Sequence, residues 1–185
     1  MFSLIVRTLF TALFASLLIA TGVAQQKPAP AGRAAITPVT AKASLNAALA
    51  AAKKWQADAV LIQVVGTRVN PDGTRMYWDF GVYSASAKKC AIINVVNGQS
   101  QAQEAGGPEC ADPGIGDFID SDKAMQIAKQ NGLTKQDVQM SVSNSPHKKG
   151  QVIWMIIEEG MRNKGDLEID IDAATGKVLS TDRRP

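Results

Sequence analysis

The sequence predicts an α+β fold arranged as a tandem duplication, each copy a helix on an antiparallel sheet of three to four strands. Three observations lead there. A shift of 76 residues superposes Ala48 on Ala124, Ala52 on Ala128, Lys53 on Lys129, Gln63 on Gln139, Trp78 on Trp154, Lys88 on Lys164 and Ile93 on Ile169 without a gap. Self-similarity at a fixed period marks a repeated structural unit. Within each copy, one helical pattern is followed by apolar strand patterns. The links between those strands are short and polar, too short for the crossover that a parallel pair requires.

The elements follow in order. Met1 to Arg7 carries one positive charge, Thr8 to Ala20 is apolar, and Gly22-Val23-Ala24 places small residues before a cleavage point, so residues 1–24 read as a secretory signal. The competing reading is an uncleaved anchor, since no charge occurs from Thr8 through Gln26 and those 19 residues just span a bilayer. No cysteine stands near the cleavage point, so lipidation of an N-terminal cysteine is not expected. Residues 25–40, with Pro28, Pro30 and Pro38 among alanines, read as an extended linker.

The first copy is assigned to residues 41–111 and the second to 112–185. Ser44 is positioned to cap a helix carrying Leu45, Ala48, Leu49 and Ala52 on one face. Strands are expected at Leu61 to Val65, Arg75 to Tyr83, Cys90 to Val96 and, after Asn97-Gly98, Gln99 to Glu104. The second helix starts after Asp120-Ser121-Asp122, bears Ala124, Ile127 and Ala128, and stops at Asn131-Gly132. Its strands are Asp137 to Val142, Val152 to Glu158, Leu167 to Ile171 and, after Thr175-Gly176, Lys177 to Leu179.

Composition narrows the function classes. Lys and Arg number 20 against 17 Asp and Glu, giving +3, and no run of adjacent basic residues is longer than a pair such as Lys53-Lys54 or Lys148-Lys149. A nucleic-acid binder concentrates its charge, so none is expected as a partner. One histidine and two cysteines make a zinc site or a histidine-based catalytic centre hard to assemble. His147 lies in a polar stretch beside Lys148 and Lys149, and no nucleophile motif, H-E-x-x-H pair or phosphate loop accompanies it. No enzyme activity, catalytic residue, metal site or cofactor is expected.

In an exported chain Cys90 and Cys110 are expected to pair, because the compartment is oxidising and the two lack the close Cys-x-x-Cys spacing of redox dithiols. Closing that loop contributes about 3 kcal/mol in the chain-entropy account. Asp166, Glu168, Asp170 and Asp172 alternate with Leu167, Ile169 and Ile171, placing four carboxylates on one strand face, read as solvated. The Ala111 to Asp122 loop, with Asp112, Asp117, Asp120 and Asp122, reads first as a linker between copies, with a cation loop as the alternative.

Alternation along Arg75 to Tyr83 puts Trp78, Phe80 and Val82 on the helix side and Tyr77, Asp79 and Tyr83 on the other. Tyr77 and Tyr83 are therefore candidate recognition residues, each joining a large apolar contact to a polar tip. Trp154 sits in Val152 to Ile157, apolar on both faces, which demands a second cover; a core role and a partner-facing role both stay open.

Ala124-Met125-Gln126-Ile127-Ala128, followed by strands and by the ending Leu167-Glu168-Ile169-Asp170-Ile171-Asp172-Ala173-Ala174-Thr175-Gly176-Lys177-Val178-Leu179, resembles the PepSY domain. The likeness spans Asp120 to Thr181, and through the 76-residue shift the first copy resembles a diverged second example. It departs in having Val96-Asn97-Gly98-Gln99 at the last turn and in carrying both cysteines. The resemblance implies a secreted or periplasmic module without catalytic activity that binds or restrains a peptidase, with no catalytic residues to carry over. Two expectations follow. The first is a protein-binding or peptide-binding module, a peptidase modulator or inhibitor acting in trans and free of the membrane once its signal is removed. The second is a structural or small-ligand-binding component of the cell envelope.

Overall fold

Alanine-rich sequence and a capping threonine set the first helix, α1 (Ala41–Trp55). Thr40 is its N-cap, extended at φ −72° and ψ 164°, with its side chain accepting from the Ala43 amide. Ser44, expected to cap, instead lies buried within the first turns. The second helix, α2 (Ser121–Gln130), begins on the N-cap Asp120 and closes at Asn131, with Gly132 taking the left-handed φ of +98°. The computed structural model describes residues 35–105, 113–158 and 165–183. The segments read as signal and as most of the linker, and Cys110, lie outside the described residues.

Among the described residues eight strands follow the expected order: β1 (Val60–Val69), β2 (Asp79–Ser84), β3 (Lys89–Val96), β4 (Gln99–Ala105), β5 (Val138–Asn144), β6 (Val152–Glu158), β7 (Leu167–Asp172) and β8 (Val178–Arg183). The strand expected from Arg75 starts later, at Asp79. Arg75 instead makes an isolated two-way bridge to Val39, at 2.8 and 2.9 Å, which pins the chain entering α1.

The arrangement of these strands corrects the expected fold class. There are no two separate helix-plus-sheet units of three to four strands. All eight strands form one antiparallel sheet in the order β4-β3-β2-β1-β5-β6-β7-β8. The join is the β1–β5 pair, running from Gln63 opposite Ser143 to Val69 opposite Val138. Left apart, each half would expose the backbone of its first strand as an edge; pairing them satisfies both rows of N–H and C=O groups.

One row of side chains crosses the whole sheet: Ala102, Ile93, Phe80, Val64, Val142, Trp154, Ile171 and Val178 stand opposite one another in turn. Six of these join Ala48 and Ala52 of α1 and Ala124 and Ala128 of α2 in a single buried cluster, so both helices cover the same face. Small helix residues allow close approach to the sheet, and Gly66 does the same in β1, where a Cβ would fall 2.5 Å from the Trp78 ring.

The helix N-termini are tied to each other. Ser121 Oγ accepts from the Ala41 amide at 3.0 Å and donates to the Gly73 carbonyl at 2.7 Å, while Asp120 Oδ1 accepts from the amides of Ser121 and Lys42 at 2.7 and 2.9 Å. Helix α1 has no acidic residue in its first turn. Asp120 supplies the negative charge that its N-terminus lacks, and Lys42 Nζ reaches Asp117 at 2.6 Å. The loop read as a linker is thus partly a capping device.

The four carboxylates around β7 are not uniformly solvated, contrary to expectation. Asp166 is 1% exposed and ion-paired to Lys135, and Asp170 is buried, with Ser180 Oγ donating to its Oδ2 at 3.2 Å. Burial pushes the Asp170 pKa up, against the Ser180 hydrogen bond.

Candidate binding face

Because α1 and α2 lie on one side, the other side of the sheet has no helix over it among the described residues. Its residues are the alternate set of each strand: Gln99, Gln101 and Gln103 on β4, Asn94 and Ile92 on β3, Asp79, Gly81 and Tyr83 on β2, Gln63, Val65 and Thr67 on β1. The row continues through Ser141 on β5, Met155 on β6 and Asp170 on β7 to Ser180 on β8. Apolar and polar side chains are mixed along it, with Val65 and Met155 among Gln101, Asn94, Asp79, Ser141, Asp170 and Ser180.

In the neighbouring row of the same face Gly81 stands between Gln63 and Ile92 and leaves a gap. A hollow of about 490 Å³ opens there, lined by Gly81, Gln63, Asp79, Ile92, Asn94 and Gln103. A Cβ at Gly81 would meet Gln63 Cβ at 3.4 Å and Ile62 at 3.7 Å, ordinary contact distances. The backbone here tolerates a side chain, so the gap is set by residue choice and not by a steric need.

Polar groups gather at one end of the hollow. The Asn94 side-chain amide donates to Asp79 Oδ1, and Arg75 Nη1 lies 3.8 Å from Asp79 Oδ2. Arg75 Nη2 donates to Thr67 Oγ1 at 3.0 Å, and the guanidinium lies over the Tyr77 ring, 4.4 Å from its centroid. Burial raises the Asp79 pKa, outweighing the Arg75 charge and the Asn94 hydrogen bond that lower it.

The expected recognition residues divide. Tyr77 is 40% exposed, stacked on Arg75 at the margin of the face. Tyr83 is half-buried on the same side of β2 as Asp79 and Gly81, opposite Cys90. Trp154 is 0% exposed and leaves the candidate surface. Alternation turns it towards the helices, where its Nε1 donates to the Ile119 carbonyl at 2.9 Å and its ring meets Phe118 edge to face. The apolar residues on the reverse side of its strand, Met155 and Ile157, are half-buried, while Ile153 is 2% exposed.

Arg75, Asp79, Asn94 and Gly81 are functional candidates that the sequence did not single out. Alternation did place Asp79 beside Tyr77. The contribution of Asn94 depends on the β2–β3 register, which brings it directly opposite Asp79. His147 is exposed in the β5–β6 connection, its amide donating to Ser145 Oγ at 3.2 Å. Among the described residues no group of three or more His, Cys, Asp or Glu is placed to hold a metal ion, and no helix is long and apolar enough to cross a membrane. Cys90 is buried at the start of β3, and no described cysteine is a free thiol.

No protein-family model matches the chain, and no curated protein sequence matches it. Among solved structures it is similar to one described as a "putative lipoprotein" from Clostridium difficile 630, with a TM-score of 0.50 and 13% identity. The match covers 74% of this chain and 90% of that one. The likeness is one of fold.

Proposed function

We propose that the chain is an exported, noncatalytic module that binds a protein or extended peptide on the face of its sheet opposite α1 and α2 and modulates an extracytoplasmic peptidase in trans. The observation that carries this reading is the hollow over Gly81, with Asp79 and Asn94 in its lining and Arg75, stacked on Tyr77, beside Asp79. An apolar side chain of the partner enters the hollow, a hydrogen-bond donor on it meets Asp79, and the neighbouring strands supply a flat seat. The signal-like N-terminus supports export, and the PepSY resemblance of residues 120–181 supports a peptidase as the class of target. Export also makes a Cys90–Cys110 bond the expected state of the two cysteines.

The second reading, a small-ligand-binding or structural envelope protein, is favoured by the size of the hollow, which falls in the range of about 300–1,000 Å³ usual for small-molecule sites.

The test is capture by the purified chain from the secreted and envelope fractions of its own organism, followed by titration of any recovered peptidase. The first reading expects a saturable complex and activity lost at near-equimolar ratio, with both abolished in Gly81→Trp, which fills the hollow. Retention by envelope material, or displacement by small molecules with no peptidase recovered, supports the second reading and overturns the first. A peptidase inhibited equally by the Gly81→Trp variant would remove the hollow from the mechanism.

A further inference from the structure

Strand β4 ends the sheet on one side and β8 on the other, and an edge strand presents unpaired N–H and C=O groups to any further strand. The two edges differ. β8 ends in Asp182-Arg183, and its pairing with β7 slips between Asp170 and Ile171; charge and irregular register both discourage another strand. β4 pairs with β3 in unbroken register from Cys90 opposite Ala105 to Val96 opposite Gln99. It contains no proline and no lysine. Its one charge, Glu104, is held by Lys89 at 3.1 Å and by the Trp55 indole at 3.4 Å. The side chains from Gln99 to Glu104 are all exposed, and among the described residues no strand lies beyond them.

We propose that β4 pairs antiparallel with β4 of a second copy of this chain, with Ala102 on the two-fold axis, so that two eight-stranded sheets become one. The strand's own pattern selects this occupant. An axis perpendicular to the sheet keeps the helices of both copies on one face and the Gly81 hollows on the other. With Ala102 on the axis, Gln99 faces Ala105, Ser100 faces Glu104, and Gln101 faces Gln103, so all seven residues of the strand pair. No carboxylate meets another, and the Gln101 and Gln103 amides, each both donor and acceptor, bond across the join. Moving the axis to Gln101 or Gln103 leaves two of the seven residues without a partner. The inference stands independently of any peptidase or ligand.

Sedimentation of the exported full chain over micromolar to millimolar concentration tests it. The mass is expected to rise from one chain to two. Ala102→Lys and Ala102→Glu, at an exposed position, are each expected to remain single chains with unchanged circular dichroism, because like charges then face each other on the axis. An equimolar mixture of the two variants is expected to recover the two-chain species. A chain that stays single throughout the range, or a dimer that persists in both variants, overturns the proposal.

Discussion

The indole rings of Trp78 and Trp154 meet edge to face, with 6.3 Å between centroids and 74° between planes. Each also closes a hydrogen bond to the backbone just ahead of a helix, Trp78 Nε1 to the Val39 carbonyl at 3.0 Å and Trp154 Nε1 to the Ile119 carbonyl at 2.9 Å. The pair spans the β1–β5 join on the helix side, so it locks the two halves of the sheet and both helix entries together.

Replacing Trp154 by Phe removes the donor to Ile119 and shortens the ring contact with Trp78. Urea unfolding is expected to show a loss of about 1–3 kcal/mol, with Trp78→Phe in the same range. The double variant is expected to show a coupling of about 0.5–1.5 kcal/mol. Strict additivity would mean that the two rings act independently.

Ser121→Ala leaves the Ala41 amide and the Gly73 carbonyl without the hydroxyl that serves both. Because these groups are buried, the expected loss is about 1–3 kcal/mol, more than for an ordinary exposed cap. Hydrogen exchange is expected to rise at the first turn of α1, a segment far from residue 121 in sequence. Faster exchange confined to α2 would show that the serine serves its own helix only.

Glu158 gives the fold an acid limit. Burial pushes its pKa up, but the amides of Leu167, Thr134 and Lys135 and the Lys135 charge outweigh that and hold it below the ordinary value. A folded pKa below the unfolded one gives a contribution fully present above the unfolded value, and it is lost as pH falls through the folded value. Lys135 has the opposite sign: its bond to Asp166 raises its pKa above 10.5, so its contribution holds below that pH and is lost as pH rises further. Glu158→Gln, which puts an amide donor against backbone donors, is expected to cost about 1–3 kcal/mol at neutral pH and to flatten the fall in melting temperature on acidification. An unchanged acid slope would assign that fall to other carboxylates.

Asp58 has its pKa lowered to about 2, first by the Ser84 hydroxyl at 2.7 Å and then by the Ser86 amide at 2.8 Å. In Ser84→Ala the value is expected to move up towards the ordinary carboxylate range, read by a carbon-detected NMR titration. A titration midpoint that does not move would leave the Ser86 amide as the controlling contact.

Peptide mapping without reductant is expected to recover a Cys90–Cys110 link, and Cys90→Ser is expected to cost about 3 kcal/mol. Recovery of both peptides separately would withdraw the bond and its contribution.

The amino-acid sequence by itself determined the elements. Alanines at helical spacing, Asn131-Gly132 at a helix end, and alternating strands with Asn97-Gly98 and Thr175-Gly176 between them act within a few residues of one another. The structure keeps all ten elements, adjusting ends such as the start of β2. Alternation also placed Trp78 in the core and Tyr77 outside it, because side-chain direction in an extended chain has period two. Trp154 was ambiguous because both faces of β6 are apolar, and only the position of Phe118 and Ile119 above it settled its direction. Tertiary structure alone decided that two helix-and-strand segments share one sheet, that Asp120 and Ser121 cap a helix about 80 residues earlier in the chain, and that Asn94 faces Asp79 beside Gly81. The physical reason is that local preference depends on neighbours along the chain. Edge satisfaction, capping in trans and cross-strand register depend on groups that meet only after the backbone has closed its long loops.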